Sequence, residues 1–218
     1  MNIESPVLLT VRGALNPKSL EAARTLHNET AGSQQGIAAA RALGDLSHKV
    51  YAPVVKAGGT EEGELLFIDY WTNPQGIGQF FSNAHVQEQG NKLFAKRDPV
   101  VWMPAKGAFS FNLPAAQGRN DRWLGVVRGV VRSPEAAIET FRAVLASKLP
   151  DARRRGQLSH EIFFRIDGKE PEMIGLDVWC DAEGMQEHYR DLKGYEGAFA
   201  AKPTTSVWEQ ASGGWSEW

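Results

Sequence analysis

Cysteine is almost absent from this chain: of 218 residues one is a cysteine, Cys180. That excludes a disulfide within the chain and a zinc site built on a cysteine pair. An excess of either charge is also missing. The formal net charge is -2, so no broad basic surface argues for nucleic acid. No apolar run approaches the roughly 20 residues that span a bilayer. The opening residues Met1 to Pro6 lack a basic region followed by an apolar one, so no signal peptide is read there. The five histidines are scattered, with no i, i+4 pair on a helix, and no metal site is expected. Neither a Gly-x-Gly-x-x-Gly nor a Gly-x-Ser-x-Gly motif occurs. These absences predict a cytoplasmic protein with no membrane and no nucleic-acid partner. At 42% hydrophobic residues, the chain can bury a proper core.

What is present is a repeat. Leu65 to Trp71 and Met173 to Trp179 are both apolar runs ending in Asp-x-Trp, at a spacing of 108. Each leads through a turn-like segment with a glycine, Gly76 or Gly184, into a helical pattern. Val11-Arg12-Gly13 recurs as Val127-Arg128-Gly129, 116 residues on. Leu46-Ser47-His48 recurs as Leu158-Ser159-His160 after 112, and Val101-Trp102 as Val207-Trp208 after 106. Four matches in order argue for a duplicated unit. Residues 1–112 form the first repeat, 113–121 a linker rich in turn formers, and 122–218 the second repeat.

Within the first repeat, Val7 to Arg12 reads as a strand. Asn16 and Pro17 look like a helix cap and first helical position, followed by a stripe of Leu20, Ala23, His27 and Thr30 or Ala31. Gly32-Ser33 breaks that helix, and Ile37 to Leu43 is a second piece stopped by Gly44. Leu46 to Val55 is a strand with Leu46, His48, Val50 and Ala52 on one face. Lys56 to Gly63 is a hairpin loop, and Leu65 to Trp71 the next strand. Pro74 to Leu93 is helical with a break near Gly90, and Val100 to Met103 is the last strand. The second repeat follows suit. Trp123 to Val131 is a strand, and Ser133-Pro134-Glu135 opens a helix with a stripe from Ala137 to Leu145. Gln157 to Ile166 and Met173 to Trp179 form a hairpin, Ala182 to Leu192 a helix, and Thr205 to Glu209 a strand. Each repeat is thus β-α-β-β-α-β, the ferredoxin-like order. Such a sheet has one face without helices, which a second copy would cover. The expected fold is α+β: two ferredoxin-like repeats packed sheet to sheet as an internal pseudo-dimeric α/β barrel. The tails Phe109 to Phe111 and Trp215 to Trp218 are expected to cross onto the other sheet.

Several residues invite a chemical reading. With Asn16 aligned on Ser133, His27 falls on Val144. An imidazole then stands where the other copy has a core residue. A buried histidine needs hydrogen-bond partners, so the first copy either holds a polar pocket, shared by Asn28 and Thr30, or exposes His27. His48 and His160 match in position, which favours a common structural role over a proton carrier. Asp69 and Asp177 share a face with Trp71 and Trp179, and Arg12 and Arg128 are their natural partners. Trp71, Trp102, Trp179 and Trp208 read as core aromatics, and His85 and His188 as helical histidines.

Trp179-Cys180-Asp181-Ala182-Glu183-Gly184-Met185-Gln186-Glu187-His188 resembles the strand-to-helix passage of the antibiotic biosynthesis monooxygenase family. There an aromatic ends the strand, an acidic-Ala-Glu turn follows, and a histidine sits in the next helix. Phe81-Ser82-Asn83-Ala84-His85-Val86 is similar to the segment a few residues further on, which often carries a second histidine. The resemblance covers both halves. It implies the dimeric α/β-barrel group, whose members include cofactor-free monooxygenases, haem-degrading enzymes, chlorite dismutase-like proteins and proteins with no assigned reaction. The implied activity is oxidation by O2 of a small aromatic, quinol or polyketide-like substrate, with no cofactor. His27 would be the general base and Asn28 would orient the substrate. Thr30, His48, Trp71, Phe80, Phe81 and His85 would form the pocket, and His160, Trp179 and His188 are the counterparts in the second repeat. Two other readings stand beside it: a non-catalytic ligand binder, and a haem protein, which needs one axial histidine. The chain would be a monomeric pseudo-dimer or a homodimer.

Overall fold

The computed structural model describes residues 6–54, 63–113 and 122–218. It is α+β and falls into two compact units. The first holds the described residues of 1–102 together with 210–218, and the second those of 103–209.

In the first unit β1 (Val7–Leu15) is followed by α1 (Leu20–Glu29), α2 (Gln34–Ala42), β2 (Asp45–Pro53) and β3 (Glu64–Trp71). Then come α3 (Pro74–Ser82), α4 (Ala84–Leu93) and β4 (Phe94–Pro104). The antiparallel order is β4-β1-β3-β2. The second unit has β5 (Phe111–Asn112), β6 (Trp123–Val130), α5 (Pro134–Arg154), β7 (Gln157–Arg165), β8 (Glu172–Trp179), α6 (Ala182–Asp191) and β9 (Thr204–Gln210). Its order is β9-β6-β8-β7, with β5 added on β7. Both orders are the ferredoxin-like one, and the registers agree position by position. Arg12 lies opposite Leu66 and Arg128 opposite Ile174. His48 lies opposite Asp69 and His160 opposite Asp177, each just past a bulge. The bulge re-aims the strand, so Leu46 is exposed instead of sharing the face of His48.

Residues of alternating parity on β1, β2 and β3 turn Leu9, Val11, Val50, Phe67 and Trp71 towards Ala23, Ala40 and Ile77 of the helices. His48 and Asp69 share that face through the same period of two. Gly44 and Gly156 adopt φ of +100° and +96° just before β2 and β7. This left-handed conformation suits glycine. It reverses the chain so that Asp45 and Gln157 enter the sheet at once.

Four expectations change. α1 is capped by Ser19, whose Oγ accepts from the Ala22 amide, because Asn16 is engaged elsewhere. Its amide donates to the Leu93 carbonyl and its side chain to that of Asn91. Leu20 is therefore an exposed first residue. With Ser19 matched to the α5 cap Ser133, His27 corresponds to Phe141 and not to Val144. The α3–α4 break lies at Asn83, whose Oδ1 caps α4, and not near Gly90. Arg12 and Arg128 pair with Glu64 and Glu172, leaving Asp69 and Asp177 to histidines. Residues 56–62 of the expected hairpin loop and most of the expected 113–121 linker lie outside the described residues. Phe111 pairs with His160 in the second unit, while 210–218 belongs to the first.

Candidate functional site

A cavity of about 450 Å³ lies within the first unit. That is the size range of small-molecule sites. The break between α1 and α2 helps to open it, since Thr30, Ala31, Ser33 and Gly36 form part of its wall. Trp71, Phe80, Phe81 and Phe94 supply aromatic surface. The polar groups on the lining include Asp45, His48, Asp69 and His85.

Behind that wall runs a buried chain of hydrogen bonds. The Asn28 amide is oriented from two sides: its Oδ1 accepts from the Ser216 amide at 2.8 Å and its Nδ2 donates to the Gly214 carbonyl at 2.9 Å. The His27 Nδ1, 3.0 Å from that Oδ1, must therefore donate. In neutral His27 the other nitrogen, Nε2, is then a lone pair. It lies 3.0 Å from the His48 Nε2, which must donate to it. The His48 Nδ1 lies 2.5 Å from the Asp69 Oδ1 and donates as well. Both ring nitrogens of His48 are thus engaged, Nε2 by His27 and Nδ1 by the Asp69 carboxyl group. Keeping the charge off His27 agrees with its environment. Burial and the neighbouring His48 lower its pKa from 6.5 to about 4, and the Asn28 bond opposes this only partly. The chain's last residues seal the pair: Trp215 lies 5.3 Å from the His27 ring, and Trp218 stacks on His48 at 4.7 Å.

Asp45 is the other titrating group. It is 6% exposed, and its Oδ1 has no hydrogen-bond partner among the described residues. Burial, then the nearby Asp69 charge, raise its pKa from 3.8 to about 7, against smaller opposing effects of His48, the Ser47 backbone and Trp218. A carboxyl that changes charge near neutrality can take up and return a proton. The Trp71 indole N–H is likewise buried without an acceptor among the described residues.

Thr30, His48, Trp71, Phe80, Phe81 and His85 all line this cavity. His27, with 0% exposure, stands behind His48 and off the lining, and Asn28 fastens the C-terminal segment. His160 and His188 line a second cavity of about 280 Å³ inside the second unit, whereas Trp179 is fully buried off its lining. Asp45 and Trp218 escaped the sequence reading. The available signal was position: Asp45 immediately precedes the repeated Leu-Ser-His, where the other copy has Gln157.

No family model matches the chain, and no curated protein does. Solved structures do. An anthrone oxidase-like protein is 12% identical, with a TM-score of 0.66 over 96% of this chain and 92% of its own. A candidate monooxygenase from Lactobacillus acidophilus NCFM is 12% identical, with a TM-score of 0.61 over 95% and 94%. A chlorite dismutase variant from Candidatus Nitrospira defluvii, in complex with cyanide, is 12% identical, with a TM-score of 0.60 over 94% and 91%. The chain shares the fold of these proteins. At such identity the likeness carries the fold and not the reaction.

Haem would need an imidazole nitrogen free in a roomy cavity and a partner orienting the same ring. His48 has both nitrogens engaged. His85 is exposed, with no side-chain hydrogen bond among the described residues to orient it. His160 is oriented by Asp177, and His188 lines the same cavity, but at about 280 Å³ that cavity falls below the range for drug-sized ligands. The residues present do not fit the group. Among the described residues no helix is long and apolar enough to cross a membrane, and no cluster of three metal-ligating side chains occurs.

Proposed function

We propose that the protein is a cofactor-independent monooxygenase that oxidises a small aromatic, quinol or polyketide-like substrate with O2 in the first-unit cavity. We further infer that the two units arose by tandem duplication and that the first took the working site. The observation that carries the reading is Asp45: a carboxyl poised near neutrality on an aromatic cavity wall. The names of the anthrone oxidase-like protein and the candidate monooxygenase point the same way.

For an anthrone-like methylene the sequence of steps balances. The Asp45 carboxylate takes one C–H proton, and the carbanion passes an electron to O2. Recombination forms the C–O bond, and Asp45 returns its proton to the peroxide. Loss of the second C–H proton breaks the O–O bond, leaving a carbonyl and one water. The Trp71 N–H would hold the substrate oxygen, and Phe80 and Phe81 would keep water away from the carbanion. His27 and Asn28 position His48 in this scheme and touch no substrate.

The test is oxygen uptake with anthrone and 1,4-naphthohydroquinone, measured against each compound's own autoxidation. Asp45→Asn is expected to lower kcat by about 10²–10⁴ with KM little changed. No uptake above autoxidation across the panel would leave a ligand-binding protein, the reading favoured by the placement of His27 away from the cavity.

A further inference from the structure

The second unit carries the same carboxylate–imidazole pair with different neighbours, and the differences release one nitrogen. The His160 Nδ1 donates to the Asp177 Oδ1 at 2.5 Å, as His48 does to Asp69. Three positions around it have changed. Phe141 stands where the first unit has His27, so the His160 Nε2 has lost its partner. Gln157 stands in place of Asp45 and donates to Asp177 at 2.8 Å. Gly125 lies opposite Asp177 where Leu9 lies opposite Asp69. A Cβ on Gly125 would fall 2.0 Å from the Tyr189 hydroxyl, so the glycine gives that hydroxyl room to donate to Asp177 at 2.8 Å. With three donors Asp177 stays ionised. Desolvation pushes its pKa up, but its contact with His160 and the Tyr189 bond outweigh that and hold it below the usual value.

The result is a histidine that is 3% exposed, oriented by a fixed carboxylate, whose Nε2 has no hydrogen bond among the described residues. It lines the cavity of about 280 Å³, with Phe141, Val144, Leu145 and Val207 as apolar wall. A buried nitrogen without a partner is costly, and a ligand that satisfies it regains that cost.

We propose that the second unit is a separate binding site for a small flat hydroxyaromatic compound, whose hydroxyl donates to the His160 Nε2 while its ring fills the apolar cavity. The proposal stands on the Asp177–His160 geometry alone and does not depend on the oxygenase reading of the first unit.

The test uses phenol, 4-nitrophenol and anisole with the whole protein, read by the ¹⁵N resonance of the His160 Nε2 and by calorimetry. Phenol is expected to move that resonance. The more acidic 4-nitrophenol should bind at least tenfold more tightly, and anisole, which has no hydroxyl proton, at least tenfold more weakly than phenol. Val144→Trp fills the cavity away from the dyad and should abolish the His160 response. His160→Phe should remove this binding event, and if it does not fold, Val144→Trp and the anisole comparison decide alone. Equal affinity for anisole and phenol, or a His160 resonance unmoved by saturating phenol, would overturn the proposal. So would a response that survives Val144→Trp.

Discussion

Asp45 and His27 sit in one unit and respond to pH in opposite directions. The Asp45 pKa is raised in the folded protein, from 3.8 to about 7. The folded state then holds a proton that the unfolded chain has released, so its contribution to stability declines as pH rises from about 4 to 7 and is level above that. The His27 pKa is lowered, from 6.5 to about 4. Its contribution is intact above 6.5 and is lost as pH falls towards 4. In the native protein the two slopes oppose each other across the same interval. Single substitutions separate them. Asp45→Asn leaves the His27 slope, so urea midpoints should climb from pH 4.5 to 6.5. At pH 8 the variant should exceed the native protein, by at most about 4 kcal/mol for a shift of this size. His27→Phe should reverse the slope, with midpoints falling as pH rises to 7. Parallel pH profiles for native protein and both variants would contradict the two assignments.

At the scale of elements, the sharpest constraint is the approach of α3 to the end of α2 and of α6 to the end of α5. The cap Asn73 binds the amide of Gly76, and the cap Asp181 that of Gly184. A Cβ on Gly76 would lie 1.9 Å from the Leu43 carbonyl oxygen, and one on Gly184 2.0 Å from that of Arg155. Both obstacles are backbone, so no side-chain rotation relieves them. Gly76→Ala and Gly184→Ala should each cost about 1–3 kcal/mol, as overpacking does, whereas Gly78→Ala, which meets nothing within 4 Å, should be harmless. Thermal melts of the three variants test this, and a Gly76→Ala midpoint equal to that of Gly78→Ala would refute the close approach. These glycines, and the strands around them, were legible because strand period and the repeated tripeptides act locally. Other features depended on partners far along the chain. Asn16 is a competent cap, but its bonds to Asn91 and Leu93 leave Ser19 to start the helix. Arg12 could have met Asp69, but its register puts Glu64 within reach and gives Asp69 to His48. The polarity of Asp45 was plain, but its pKa needed the fold that buries it beside Asp69.

For the whole molecule, the repeat boundaries and the compact units differ at 103–112, which belongs to the second unit, and at the chain's other end. The last nine residues, 210–218, close the second repeat in sequence but belong to the first unit. They bring Trp215 against His27, Trp218 against His48, and the Ser216 amide to Asn28, and the Glu217 carboxylate accepts from the Val50 amide. A fragment of residues 1–112 would lack all of this, leaving the His27–His48 pair unsealed and the Asn28 amide without the bonds that orient it. Unpaired polar groups of this kind cost about 1–3 kcal/mol each, and a domain of this size has only about 5–15 kcal/mol in hand. Expressed alone, 1–112 should melt without cooperativity or at a much lower temperature than the whole chain. Adding a peptide of residues 210–218 should raise its midpoint in a dose-dependent way, and a peptide with Trp215 and Trp218 both changed to Ala should not. A cooperative melt of 1–112 at the temperature of the intact protein would show that the tail only covers a site that is already formed.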